Sequence, residues 1–185
     1  PAPDGTVSGT DGDDLIAEDF IFSNQGEVPY RGDPEGDQVD SNDAIVGNAG
    51  SNDDIIEAGA GNDSIRSGLG NDTVFGGLGN DSFLNSAGQD VYFGDEGNDR
   101  VSFSGSGTNS GITFFGGSGN DRMQSNQFTA DDVFFGGDGA DLAQSSGGND
   151  TFNGERGNDF FSVTLSGGRA EGSTHTYVGG ETGET

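Results

Sequence analysis

The sequence contains no cysteine and no lysine, and it is poor in apolar residues. Without cysteine, no disulfide can stabilise the fold and no thiol can act as a nucleophile. Hydrophobic residues make up only 28% of the 185 positions, and no apolar run approaches the length of a membrane-spanning segment. The length suits one domain or one elongated array of repeats, but the apolar content is low for a conventional globular core.

Positive charge is almost missing as well. Lysine plus arginine number 6 against 33 Asp plus Glu, which gives a formal net charge of −27. Self-repulsion on this scale opposes a compact fold. It also excludes nucleic acid and insertion into anionic membranes as expected interactions, because both partners attract basic patches. A bound divalent cation would relieve the repulsion.

The chain lacks the residue constellations of catalysis. Its one histidine, His175, lies in an irregular tail, and no G-x-S-x-G motif is present. The carboxylates recur in one repeated setting, whereas general acid and base catalysis needs two carboxylates in different surroundings. The glycine-rich turns end in Asn-Asp and carry no P-loop lysine, so they would repel a phosphate. We expect no enzymatic activity.

What the sequence does contain is a strict repeat. Six aspartates follow one another at intervals of nine residues: Asp54, Asp63, Asp72, Asp81, Asp90 and Asp99. An apolar residue stands two places after each: Ile56, Ile65, Val74, Phe83, Tyr92 and Val101. This fixed phase argues against a disordered chain, although so acidic a composition leaves disorder open when no cation is bound.

Each nine-residue unit divides into six turn residues, G-G-x-G-N-D, and three strand residues with one apolar side chain in the middle. So short a strand cannot bury its side chain alone, so the units must stack. Two units make one coil, and alternate units lie above one another. The sequence therefore predicts an all-β, right-handed parallel β-roll with two facing parallel sheets. The two predicted core columns are Ile56, Val74, Tyr92, Phe114, Phe134 and Phe152, and Ile65, Phe83, Val101, Met123, Ala143 and Phe161.

Three regions are expected along the chain. Residues 1–46 form an N-terminal capping region with one repeat and an acidic loop, residues 47–163 form the β-roll, and residues 164–185 form a C-terminal cap or a truncated continuation. The acidic loop at 18–40 is either a solvated excursion or an extra calcium loop. Because the chain starts at Pro1 without Met, we expect a processed form or a fragment.

The aspartates predict a metal site. Stacked strands lie ~4.8 Å apart, so aspartates repeated at that interval would repel one another. Ca²⁺ between successive turns would accept their carboxylates and the backbone carbonyls of the turns, and Mg²⁺ fits less well because it demands tight octahedral geometry. The carbonyl ligands expected from the glycine pattern are Gly59, Gly61, Gly77, Gly79, Gly97, Gly117, Gly119, Gly137, Gly139 and Gly157.

Alternate units separate two unlike edges of the roll. The regular edge has no insertion, and its turns end at Asp63, Asp81, Asp99, Asp121, Asp141 and Asp159. Six stacked turns predict about five calcium sites. The irregular edge carries both insertions, and its turns end at Asp54, Asp72, Asp90, Ile112, Asp132 and Asp150. We expect one or two sites at Asp54, Asp72 and Asp90, and then a gap.

The repeat carries a family resemblance. The segments Gly76-Gly77-Leu78-Gly79-Asn80-Asp81-Ser82-Phe83 and Gly116-Gly117-Ser118-Gly119-Asn120-Asp121-Arg122-Met123 resemble the RTX, or haemolysin-type calcium-binding, nonapeptide. The resemblance implies a calcium-loaded β-roll that bacteria secrete and that folds outside the cell. The opening segments at 6–14 and 32–37 also resemble RTX regions that precede a self-processing Hint domain in some secreted marine bacterial proteins.

The outer faces of the two predicted sheets differ. The first carries a stripe of aromatic and β-branched residues: Thr73, Phe75, Val91, Phe93, Thr113, Phe115, Val133 and Phe135. We name these eight residues the Phe stripe. The second carries three of the six arginines, at Arg66, Arg100 and Arg122. The stripe exceeds what a solvated sheet normally exposes. It indicates a docking face for another copy or a neighbouring domain, unless a terminal segment covers it or β-propensity alone selected it.

These features favour a secreted, calcium-binding structural protein, extracellular or held at the cell surface. On this hypothesis the Phe stripe supports self-assembly into filaments or a surface layer. An alternative is a calcium-triggered folding and secretion module cut from a larger polypeptide. A lesser alternative is an ice-binding or adhesin segment. One asparagine recurs in most turns of the regular edge, at Asn62, Asn80, Asn98, Asn120 and Asn158, but the residues two places before them do not repeat as an ice lattice requires.

Overall fold

The computed structural model describes residues 6–8, 15–17, 44–46, 53–85, 87–103, 111–126, 130–163 and 174–179. These residues form two eight-stranded sheets. The first sheet contains, in spatial order, β1 (Thr6–Ser8), β4 (Ile55–Ala60), β6 (Thr73–Leu78), β8 (Asp90–Glu96), β10 (Ile112–Ser118), β12 (Val133–Gly139), β14 (Thr151–Gly157) and β16 (Thr176–Val178). The second contains β2 (Leu15–Ala17), β3 (Ala44–Val46), β5 (Ser64–Arg66), β7 (Ser82–Asn85), β9 (Arg100–Phe103), β11 (Arg122–Gln124), β13 (Leu142–Ser145) and β15 (Phe160–Val163).

All strand pairs are parallel, and from β3 to β16 consecutive strands alternate between the sheets. The register places equivalent positions of successive coils side by side. Val74 pairs with Tyr92, for example, and Met123 pairs with Val101. The prediction of two facing parallel sheets with two repeats per coil is therefore confirmed. Within the described ranges no helix occurs, and so none that could cross a membrane.

The core lies between the sheets, where the predicted columns meet. Eleven of their twelve residues are fully buried, and Phe161, near the C-terminal end, is partly buried. Aromatic rings fill most of the space: Phe83 contacts Tyr92 and Phe114 at centroid distances of 5.3 and 6.1 Å. These contacts join the two sheets across the core, because Phe83 lies on the second sheet and Tyr92 and Phe114 lie on the first.

The strands of the two sheets differ in length, which the repeat did not predict. Strands of the second sheet have three or four residues, as expected, but β4 to β14 of the first sheet have six or seven. The extra residues belong to the Gly-Gly-x segment of each regular-edge turn. That segment stays hydrogen-bonded to the next coil, as when the Gly61 amide donates to the Leu78 carbonyl at 2.7 Å and Gly79 donates to Glu96 at 2.7 Å.

The turns depend on a left-handed backbone at their second and fourth positions. Gly117 and Gly119 have φ values of +104° and +131°. A Cβ at Gly119 would collide with the carbonyl oxygen of Gly97 in the preceding coil. At the second position Asp95 and Glu155 adopt φ values of 71° and 62° despite their side chains. The close approach of one coil to the next therefore makes glycine necessary at the fourth position.

Replacing Gly119 with alanine is expected to destabilise the roll by about 2–4 kcal/mol, because the substituted residue combines an unfavourable φ with a backbone collision. Urea denaturation in calcium measures the change. Gly179→Ala is the matched control, since a Cβ at Gly179 meets no atom within 4 Å. An equal effect of the two substitutions would contradict this account of the turns.

Candidate metal centre

The aspartates of the regular edge form a hydrogen-bonded ladder. Each backbone amide donates to the Oδ1 atom of the aspartate in the next coil, from Asp63 through Asp81, Asp99, Asp121 and Asp141 to Asp159, at 2.7 to 3.0 Å. The repeat places one aspartate per coil at the same corner, where the turn enters the second sheet. These bonds hold the Oδ1 atom of each carboxylate from Asp81 to Asp159 in place. They therefore also set the direction of its Oδ2 atom.

The second carboxylate oxygen points into the turn. The Oδ2 atoms of Asp81, Asp99 and Asp121 are buried and meet no hydrogen-bond donor. Asp99 Oδ2 lies over Gly94, the first residue of its own turn, and the carbonyl oxygen of Gly116 approaches the same point from the next coil. The next turns repeat the pattern, with Asp121 over Gly116. Each of these turns thus brings an unsatisfied carboxylate oxygen and a carbonyl oxygen together.

These surroundings disfavour a bare charge. The pKa of Asp99 is raised to about 7, chiefly by burial and also by the neighbouring carboxylates of Asp81 and Asp121, although the hydrogen bond from the Asp81 amide lowers it in part. Burial likewise raises the pKa of Asp81 and Asp121 to about 6 and that of Asp141 to about 7. A buried carboxylate without a partner must bind either a proton or a cation to be stable near neutral pH.

The donor set fits calcium. All its atoms are hard oxygen ligands, which Ca²⁺ prefers, and the flexible geometry of Ca²⁺ tolerates a mixture of carboxylates and carbonyls. Among the residues that the structure describes, no three Asp, Glu or His side chains gather as one metal-binding cluster. An ion in such a turn would therefore complete its shell with backbone carbonyls. Residues that could hold it include Asp99, Gly94 and Gly116.

The sequence reasoning missed the first glycine of each turn as a ligand candidate. The carbonyls it favoured, at the second and fourth positions, face the glycines of the next coil, as Gly59 faces Gly77 and Gly61 faces Gly79. The carbonyl oxygens of Gly116, Gly136 and Gly154, all at the first position, lie beside the carboxylates. Coordination by the second-position and fourth-position carbonyls stays a prediction. A signal was available, because the first position is glycine in the last five regular-edge turns: Gly76, Gly94, Gly116, Gly136 and Gly154.

The irregular edge has an interrupted ladder. Asp54 donates to Asp72 at 3.0 Å and Asp72 donates to Asp90 at 2.8 Å. The Asp90 amide then donates to the Gly111 carbonyl at 3.3 Å, because Ile112 has no carboxylate. The ladder resumes where the Ile112 amide donates to Asp132 at 2.9 Å. The break in the hydrogen-bond ladder lies at the turn that has no carboxylate, and the expected gap in calcium sites there stays a prediction.

Polar side chains of the protein lie beside some of the acids of the irregular edge. Tyr92 donates from its hydroxyl to Asp90 Oδ2 at 3.3 Å. Burial raises the pKa of Asp132 to about 7, although the hydrogen bond from the Ile112 amide lowers it in part. His175 Nδ1 lies 3.2 Å from Asp150 Oδ2. The Oδ2 atoms of Asp72 and Asp132 nevertheless meet no hydrogen-bond donor, like those of Asp81, Asp99 and Asp121 on the regular edge.

Asparagines form a second hydrogen-bonded ladder along the regular edge, on the exposed side of the same turns. The Oδ1 atom of Asn62 accepts from the amide of Asn80, and Asn80 and Asn98 accept in the same way from the following coils, at 2.7 to 2.8 Å. The last bond runs from the Ala140 amide to Asn120 at 2.8 Å. The ladder satisfies turn amides.

The Phe stripe lies on the outer face of the first sheet as predicted. Its four rings stack in register: Phe75 on Phe93, Phe93 on Phe115, and Phe115 on Phe135, with centroid distances of 4.8 to 4.9 Å and interplanar angles of 2 to 8°. Each ring is partly covered by its neighbours. The rings therefore present their edges outward. On the second sheet Arg122 donates to Gln144 at 3.1 Å.

Two facing parallel sheets, closed by acidic and glycine-rich turns, define a β-roll, a class of repeat protein. The model of the RTX calcium-binding nonapeptide repeat matches the chain in four copies, at residues 48–83, 86–101, 113–127 and 128–161. Together they cover more than half of the chain, which therefore belongs to this family. The repeats bind Ca²⁺ as structural rather than catalytic units, and proteins that contain them are typically secreted.

A search of the curated proteins and a search of the solved structures returned no significant match.

Proposed function

We propose that this protein is a secreted structural β-roll held together by a column of calcium ions along its regular edge. The observation that carries the proposal is the series of buried Oδ2 atoms at Asp81, Asp99 and Asp121, each without a hydrogen-bond donor. A divalent cation would satisfy these oxygens and offset the repulsion between successive coils.

The proposed ligands extend along the whole regular edge. The carboxylates are Asp63, Asp81, Asp99, Asp121, Asp141 and Asp159, which supports about five ions between successive turns. On the irregular edge, Asp54, Asp72 and Asp90 hold one or two further ions where the ladder is intact. Glycine carbonyls complete each shell.

The Phe stripe is the proposed assembly face, and its occupant is the Phe stripe of a second copy. The stacked rings recur every 4.8 to 4.9 Å, so an identical stack on a second copy has the same spacing and can pack against it ring by ring. Glu57 and Asn153 stand at the two ends of the column and limit the apolar contact to four coils. Face-to-face packing of two such sheets would bury the Phe edges and support filaments or a layer.

Replacing Phe75, Phe93 and Phe115 with lysine is expected to abolish the calcium-dependent association that this face mediates, because three charges would enter the contact. Light scattering against protein concentration in calcium measures the assembly. The matched control carries the same charge change on the second sheet, as Ser82→Lys, Ser102→Lys and Leu142→Lys. If the stripe variant assembles as the wild type does, the stripe is not the contact.

A second candidate function is calcium-triggered folding within a larger secreted polypeptide. The raised pKa values of Asp81, Asp99 and Asp121 favour it, because buried acids without a cation oppose folding where calcium is scarce. A protein that folds with calcium but stays monomeric at high concentration would support this function over assembly.

A further inference from the structure

The two ends of the roll are staggered in opposite senses. At the N-terminal end, β1 pairs with β4 and β3 pairs with β5, and β2 then extends the second sheet one strand further. At the C-terminal end, β16 pairs with β14 and extends the first sheet, whereas β15 is the last described strand of the second. Each end therefore has one overhanging strand, and the two overhangs belong to different sheets.

The C-terminal overhang leaves part of the core open. Tyr177 of β16 packs against Phe152 and Phe161 at centroid distances of 5.7 and 6.1 Å, yet it is 50% exposed. An open groove between the last two strands is lined by Asp159, Phe161, Tyr177 and Gly179. The groove lies beside β15, where one more strand of the second sheet would complete the coil.

We propose that two copies of this chain join head to tail, with β2 of one copy added to β15 of the other. That strand would lie opposite β16, and β1 of the same copy would add to β16. The fit follows from the stagger. The second sheet of one copy overhangs by the strand β2, and the second sheet of the other copy is one strand short beside β15. Both sheets would continue across the joint as parallel ladders without a missing or surplus strand.

The register of the existing sheets fixes the register of the joint. Leu15 pairs with Ala44 at the N-terminal end of the second sheet, and the series of paired positions that begins with them ends at Phe160 at the C-terminal end. The next series runs from Ile16 through Ile45 and the buried Ile65, and it ends at Phe161. Continuing the ladders therefore places Ile16 beside Phe161, where an apolar residue is needed to close the core.

The joint rests on the proposed calcium function. Each chain carries a net charge of −27, so two ends meet only if cations offset the repulsion. Asp159 ends the ladder of the regular edge within the described residues, and its Oδ1 atom accepts from the Asp141 amide at 3.0 Å. The other aspartates of this edge each lie against the turn of the next coil. A coil from the second copy would supply such a turn next to Asp159.

Cysteine cross-linking tests the joint, because the chain contains no cysteine of its own. The third residues of the two strands, Ala17 and Ser162, would lie side by side at a spacing that a disulfide can bridge. Within one chain they are seven strand spacings apart, about 34 Å, so only a link between copies can form. The experiment mixes equal amounts of Ala17→Cys and Ser162→Cys in calcium under mild oxidation and counts the dimers by mass.

Random collision would make the mixed dimer twice as abundant as either homodimer. The joint predicts an excess on the order of tenfold or more, because pairing holds the two thiols at high effective concentration. Ser8→Cys with Val178→Cys should behave alike on the first sheet. Ala17→Cys with Val178→Cys is the matched negative control, since these positions lie on opposite sheets.

Circular dichroism of the same samples separates the two ways of failing. If the variants fold in calcium but the mixed dimer stays at the random ratio, or equals that of the negative control, the head-to-tail joint is wrong and the calcium function stands. If the variants do not fold in calcium, the calcium function and the head-to-tail joint are both contradicted.

Discussion

Chelation of calcium is expected to unfold most of the roll. Without a cation, the Oδ2 atoms of Asp81, Asp99 and Asp121 would remain buried without a partner, within a chain of net charge −27. The packing of thin core columns cannot offset that cost, because each buried side chain contributes only about 1.5–3 kcal/mol. Far-UV circular dichroism at pH 7.5 with EDTA should therefore lose the β signal, and excess calcium should restore it.

Magnesium at the same concentration is the control for specificity. It should restore less of the signal, because Mg²⁺ requires tighter octahedral geometry and retains its waters. A β signal that persists in EDTA would contradict a metal-dependent fold.

Acid should replace part of the calcium effect. In the folded, metal-free state burial raises the pKa of Asp99 to about 7 from a usual value of 3.8. A raised native pKa gives stability that is present below the unfolded value and is lost as the pH rises through the native one. In EDTA, the β signal should therefore be larger at pH 5 than at pH 8.

Asp99→Asn is expected to remove much of the calcium-dependent stability. Asp99 stands between Asp81 and Asp121 in the ladder, so its loss damages two adjoining sites. At a free calcium concentration of 100 times the dissociation constant, each site adds about 2.7 kcal/mol, so the loss should approach about 5 kcal/mol. In EDTA the sign should reverse, because the amide removes a buried charge that has no partner.

Asp132→Asn is the matched control on the irregular edge. Asp132 is equally buried and accepts an equivalent bond from the Ile112 amide, but it adjoins the break in the ladder and lies near Ser125. Its effect on calcium-dependent stability should be smaller than that of Asp99→Asn, because the neighbouring turn ends at Ile112 and offers no second carboxylate to share an ion. Equal losses for both variants, or destabilisation by Asp99→Asn in EDTA, would contradict the assignment of calcium to the regular edge.

The repeat made most of the fold predictable. Because residues nine apart alternate between two sheets, the phase of Val74, Phe83 and Tyr92 alone fixes which sheet each belongs to and that each faces the core. The strand from Thr176 to Val178 continues the same pattern on the first sheet, with Thr176 beside Thr151. The resemblance of the turns to the RTX nonapeptide proved to be membership of that family.

Other features depend on contacts between coils, which spacing along the chain does not show. The Gly116 carbonyl reaches Asp99 only through the next coil, and the longer strands of the first sheet arise from bonds such as Gly79 to Glu96. The neighbouring positions of β2 and β3 in one sheet also escaped prediction, because the repeat is interrupted between them. The acidic segment at 18–40, expected to be either a solvated excursion or an extra calcium loop, lies outside the described residues, so both interpretations stay predictions.

The most direct test of the calcium column is anomalous diffraction from crystals grown in calcium. A row of calcium peaks is expected along the regular edge, at the turns of Asp81, Asp99, Asp121 and Asp141, spaced by about 4.8 Å as the strands are. Each peak should lie beside an Oδ2 atom and the carbonyl of a first-position glycine. A roll with no anomalous density at these turns, or with calcium only on the irregular edge, would contradict the calcium column.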